Sequence, residues 1–259
     1  MSQSTAGPCL VCGEETTSRC EACRQAGIDL FFCSKEHQKL LWPVHKKVCG
    51  PGKASPFMWP DLSQVENEAA KRLLRVEQLR GSKDWHLSLE YMLRGMNCCP
   101  EKYETLLDDL TEHGTTTLPV ANKHDTLVLI RTALASAAEP FDGTNPTGID
   151  LVLTYLSTVA IECLSPRADY PSQPPVWHSH LHHLLLSAHY LSFLYSLSPS
   201  TTPPEVKAHL LVCKTASCRR LVEYVRAEVP SQAVLGAEQS LFAVLQESTW
   251  LHAPMPSDD

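Results

Sequence analysis

Eight potential metal ligands crowd into the first fifty residues, and they fall into four pairs: Cys9 and Cys12, Cys20 and Cys23, Cys33 and His37, His45 and Cys49. The first two pairs are C-x-x-C, a spacing that lets a tight turn point two sulfurs at one ion. The last two are i, i+4, so a helical turn puts both side chains on one face. Eight ligands make two tetrahedral sites of four, and thiolate with imidazole selects Zn²⁺ over the hard cations. A site whose four positions all come from protein is closed to water, and such sites are structural. A redox C-x-x-C would need a βαβ context, which this sequence lacks.

The ligand-rich block sets the domain organisation. Six of the eleven cysteines lie within it, while Cys98, Cys99, Cys163, Cys213 and Cys218 are scattered over the rest. These five have no ligand-like partners and read as small core or surface residues. Residues 9–50 hold too little apolar material to fold unaided. Metal binding would supply the missing free energy, ~10 kcal/mol or more per structural site. Chelation is therefore expected to unfold this block and spare the remainder.

Residues 1–8 read as a flexible lead-in and 51–60 as a Pro/Gly linker. Within the linker, Phe57-Met58-Trp59-Pro60 forms an apolar patch able to anchor it. An all-α domain is expected over 61–252, with a disordered tail at 253–259. Its first helix carries Val65, Ala69, Leu73, Val76 and Leu79 at helical spacing, starts at a Ser63/Glu66 capping box and ends at Gly81. Further helices are expected in 84–96, 101–113, 124–139, 148–164 and 176–197, from Pro204 to about Glu228, and from Ser231 to 248. No alternating strand pattern is visible after residue 60.

The formal net charge is −7. A chain that relied on neutralising phosphates would carry the opposite sign, so nucleic acid is not an expected partner. No signal peptide or membrane span is visible. The expected location is the cytoplasm, the nucleus or both, where thiols stay reduced and disulfides do not explain the cysteines.

The pattern C-x2-C-x7-C-x2-C-x9-C-x3-H-x7-H-x3-C over residues 9–49, with Gln38 after the sixth ligand and Trp42 before the seventh, resembles the MYND-type zinc finger. Two departures stand out: the sixth ligand is His37 where the family usually has Cys, and the stretch between Cys23 and Cys33 is longer than usual. The resemblance implies a small cross-brace finger, a short hairpin plus a helix, with two structural Zn²⁺ ions. It implies that Cys9, Cys12, Cys33 and His37 hold one ion and that Cys20, Cys23, His45 and Cys49 hold the other; spacing alone leaves that pairing open. A finger followed by a helical body of no recognised family resembles fungal MYND proteins.

Gln38 and Trp42 share a helix face and suit an extended, proline-rich peptide, with an aromatic wall for the rings and an amide for the carbonyls. Residues matching these two line the peptide groove of the family, which implies a protein partner and a role as an interaction module or adaptor, with transcriptional regulation as one setting. Glu21 stands where the family groove has a small polar residue. The competing expectation is that Trp42 only roofs a small core with Phe32, Leu40 and Leu41.

Family members with SET methyltransferase domains are β-rich, and no such pattern or motif follows residue 54. The alternative function is a metal-dependent enzyme built on the histidine-rich helix 176–197. There His178, His182 and His189 share a face, with His209 or Glu162 as a further ligand. Against it stands a simpler expectation, histidines hydrogen-bonded or solvated near one end of a surface helix.

Overall fold

The computed structural model describes residues 6–51, 53, 59–79, 86–95, 103–115, 117–136, 176–197 and 202–228. The expected helices at 148–164 and 231–248, the tail, Cys98, Cys99, Glu162, Cys163 and the side chain of His178 lie outside the described residues.

The ligand-rich block is a hairpin plus helices. Strand β1 (Gly7–Pro8) pairs antiparallel with β2 (Glu15–Thr16). The turn between them carries Cys9 and Cys12 and is closed by the Gly13 amide donating to the Cys9 carbonyl at 3.0 Å. Gly13 has φ 82°, a conformation that an L side chain resists. Gly7 lies against Phe31 so closely that a Cβ would meet its ring at 2.5 Å. The second knuckle opens the short helix α1 (Glu21–Gln25). Helix α2 (Lys35–Val48) begins at Ser34, whose hydroxyl accepts from the His37 amide at 3.1 Å. It ends at Cys49, and Gly50 leaves it at φ 99°.

The region that follows is mostly helical: α3 (Gln64–Leu73), α4 (Leu89–Gly95), α5 (Tyr103–Asp109), α6 (Val120–Ser136), α7 (Val176–Leu197) and α8 (Pro204–Glu228). Helix α7 is the centre of the packing, with α6, α8 and the finger helix α2 all against it. The buried side chains form one cluster spanning both regions, from Leu10, Val11 and Leu41 to Leu181, Leu185 and Leu221. The linker residue Trp59 is part of it, with its ring 5.5 Å from that of His182 and 5.3 Å from that of His189.

Two sequence expectations fail around α3. The helix stops at Leu73 rather than Gly81, and β3 (Glu77–Leu79) pairs antiparallel with β4 (His86–Ser88). The apolar spacing that suggested a longer helix is shared by a helix end, a turn and a strand. The expected apolar face is also rotated. Val65 and Val76 are 56% and 48% exposed, while Glu66, Asn67, Ala70 and Leu74 point inward. The cause is a buried ion pair: Arg131 Nε on α6 donates to Glu66 Oε1 at 2.8 Å, with side chains only 3% and 4% exposed. Arg131 also donates to the Asp61 carbonyl at 3.2 Å, and Asn67 donates to Asp108 Oδ1 at 2.8 Å. The expected capping box is present, with Ser63 and Glu66 bonded reciprocally.

Two predictions follow from this core. Removing one partner of a buried pair strands the other charge, so Arg131→Ala should cost about 3–5 kcal/mol in urea unfolding. An Arg131→Met/Glu66→Met double variant should recover most of that loss; equal losses would show that the pair is not coupled. The second concerns acid. Burial holds His182 down to about 3 and His189 to about 4. The unfolded chain therefore takes up these protons first. Stability is full above the ordinary histidine range near 6.5 and declines as pH falls from there towards 4. His182→Leu, which removes two ring nitrogens without hydrogen-bond partners, should shift the acid midpoint downward in a pH-dependent melt.

Candidate metal centre

The four ligand pairs converge two by two, across the hairpin rather than along the chain. Cys9 and Cys12 from the first knuckle meet Cys33 and His37 at the start of α2; Cys20 and Cys23 meet His45 and Cys49 at its end. Within each group the ligand atoms lie within 4.8 Å of one another. In the first, Cys12 Sγ is 3.5 Å from Cys33 Sγ, and His37 Nδ1 is 3.1 Å from Cys33 Sγ and 3.6 Å from Cys9 Sγ. In the second, Cys20 Sγ is 3.5 Å from Cys49 Sγ and 3.4 Å from His45 Nε2, and Cys23 Sγ is 3.7 Å from the same nitrogen.

These distances discriminate between chemistries. Disulfide sulfurs sit ~2.05 Å apart. Ligands on a tetrahedron with Zn–S of ~2.3 Å lie ~3.7 Å apart edge to edge. The groups fit the second geometry, so the residues present suit Zn²⁺.

Electrostatics points the same way. In the second group the Cys23 thiol, hydrogen-bonded to Cys20, holds the Cys20 thiol down to about 3, with His45 assisting. Cys23 is pushed far up by that same bond and by burial. The three thiols of this group cannot all ionise against each other; a divalent cation among them removes the conflict and deprotonates each thiol. Burial, then His209, lowers the pKa of His37, favouring the neutral imidazole a metal requires.

The finger is joined to the helical body by specific bonds. Lys47 pairs with Glu112 at 2.6 Å and donates to the Asp61 carbonyl at 3.0 Å. Arg220 of α8 donates to the Pro8 carbonyl at 2.6 Å. The His45 ring lies 5.4 Å from that of His183 on α7.

The proposed groove residues lie on the outer side of α2. Phe32, Leu41 and Val44 are buried, but Trp42 is 46% exposed and Gln38, one turn earlier, is half-buried. Trp42 lies on the outer side of the small core that these buried residues form. Its indole lies 6.0 Å from the His45 ring. Glu21 is exposed and paired with Arg24 at 2.6 Å.

The histidine helix is not solvated. His182, His183 and His189 are buried, because α7 is enclosed by α2, α6 and α8. His189 Nδ1 bonds the Leu185 carbonyl at 2.9 Å, and Nε2 lies 3.3 Å from Thr132 Oγ1. Among the described residues, neither His182 nor His189 joins a group of three ligands. His209 sits elsewhere, beside His37 and Cys213. Cys213, expected as a small core or surface residue, has a ligand-like partner one turn before it, and His209-x-x-x-Cys213 repeats the spacing of His45 and Cys49.

Metal removal has a definite expected outcome. A chelator should unfold residues 9–50 with the loss of ~10 kcal/mol of apparent stabilisation per site. Because the core is continuous, it should also lower the melting temperature of the helical body, read by circular dichroism; an unchanged melt would show that the two regions are uncoupled. His45→Ala should lose one zinc equivalent by elemental analysis, whereas His37→Cys should keep two.

Residues 9–49 match the family model described as MYND finger. No curated protein and no solved structure matches the chain. With two zinc-type Cys₃His groups at the positions that the hairpin and α2 supply, residues 9–49 are a MYND finger, followed by a mostly helical region of no recognised family.

Proposed function

We propose that the protein is an adaptor whose finger, held together by two structural zinc ions, docks a proline-rich peptide of a partner protein through Gln38 and Trp42. MYND fingers are zinc-binding modules of protein interaction in general. The observation that carries the finer reading is the exposed indole of Trp42 above a closed core, with the Gln38 amide one turn away. A flat aromatic face beside an amide suits the rings and free carbonyls of an extended proline-rich segment.

The surroundings refine the ligand. Lys35, Lys39 and Lys46 are exposed and share the helix stripe of Trp42, while Lys47 is used against Glu112. The favoured peptide therefore carries Asp or Glu beside its prolines, and its association slows as salt rises. Among the described residues no helix is long and apolar enough to cross a membrane. The reading places the adaptor in the cytoplasm or nucleus, where its thiols stay reduced, with transcriptional regulation as one setting for a nuclear partner.

The test is an array of proline-rich peptides with acidic and neutral flanks, followed by calorimetry. Trp42→Ala should retain both zinc ions yet lose about 2 kcal/mol of binding, roughly thirtyfold, as for a central aromatic anchor. Equal affinity of the zinc-loaded variant would remove the groove from α2.

A further inference from the structure

A third group of metal-ligand atoms lies beside the finger's first site. His209 and Cys213 are one turn apart on α8, and His209 Nε2 is 3.5 Å from Cys213 Sγ. His37 stacks on His209, with centroids 5.8 Å apart and an interplanar angle of 22°. One ligand atom from each of His37, His209 and Cys213 lies within 4.8 Å of the others. An imidazole has two nitrogens. His37 Nδ1 faces the sulfurs of Cys33 and Cys9 at 3.1 and 3.6 Å, which leaves Nε2 for a second use.

The placement is held by more than this contact. Arg220, further along α8, bonds the Pro8 carbonyl, and the Ala216 methyl packs where Gly13 closes the first knuckle, 3.9 Å from the position of a Cβ. The seam between finger and α8 is thus pinned on the side of the first site. Cys213 is buried, His37 half-buried and His209 exposed, so the group opens to solvent at one end.

We propose that His37, His209 and Cys213 form a third metal site, across the seam between the finger and α8, that takes a borderline divalent ion of the Zn²⁺ type. Two imidazoles and one thiolate select such an ion over Mg²⁺ or Ca²⁺. Three protein ligands with an exposed end leave one position for water, unlike the two closed sites. On binding, Cys213 gives up its thiol proton to solvent, and so does the outer nitrogen of His37, which then bridges two ions. Both steps make this site weaker than the other two. The bound ion fastens α8 to the finger. The proposal rests on the first finger site being a zinc site.

The experiment uses the full chain without a polyhistidine tag. It is loaded with excess Zn²⁺, desalted and analysed for metal, and in parallel titrated with Co²⁺ while the thiolate-to-metal absorption is followed. The expected result is two tightly held ions and a third that saturates later. His209→Gln and Cys213→Ser should each abolish the third and keep the two. A wild-type chain that stops at two ions overturns the third site and leaves the finger standing; fewer than two overturns both readings. A third ion that persists in the variants lies elsewhere and overturns the proposal, as does a variant that falls to one ion. Circular dichroism establishes that the variants fold, and His209→Gln, at an exposed position, decides the matter if Cys213→Ser does not.

Discussion

Three thiols and one imidazole converging on a single point, twice over, is the constraint from which the rest of this structure is built. The hairpin is two residues per strand, and α1 is barely more than a turn. Neither element persists alone in water. Drawing Cys9 and Cys12 to the start of α2, and Cys20 and Cys23 to its end, ties both knuckles to one rigid rod. The small core of Leu10, Val11, Leu30, Phe32 and Leu41 then closes between them.

That rod is also a wall of the larger core. The inner face of α2 carries Leu41, Val44, His45 and Val48 against α7, and its outer face carries Trp42 and the exposed lysines. The metal sites and the core therefore support each other through one helix. The arrangement explains why His45 is a ligand on one side and a ring neighbour of His183 on the other. It also gives the proposed peptide groove a backing that is fixed from below at both ends.

The helical body spends polar groups in its interior. Glu66 and Arg131 are paired within it, and Trp59 sits among His124, His182, His189 and the Arg131 guanidinium. Buried polar groups of this kind are costly unless satisfied, and they tie the linker segment to one place on α6 and α7. The same interior accounts for two misread features. Charge pairing turned α3 by pulling Glu66 inward where apolar spacing favoured Val65. Enclosure by three helices buried histidines whose polarity had suggested a surface.

The sequence by itself determined the ligand pairs, the capping box and the start of α8 at Pro204, because each is encoded within about one turn of chain. The sequence also placed Gln38 and Trp42 on a shared face, since helical periodicity is local. Only the tertiary structure decided which face of α3 is buried, where α3 gives way to a strand, and that His209 and Cys213 stand beside His37. Those outcomes depend on contacts between residues far apart in the chain, which leave no local spacing to read. A repeated H-x-x-x-C motif says that two side chains share a helix face; where that face points is settled by how α8 packs on the finger.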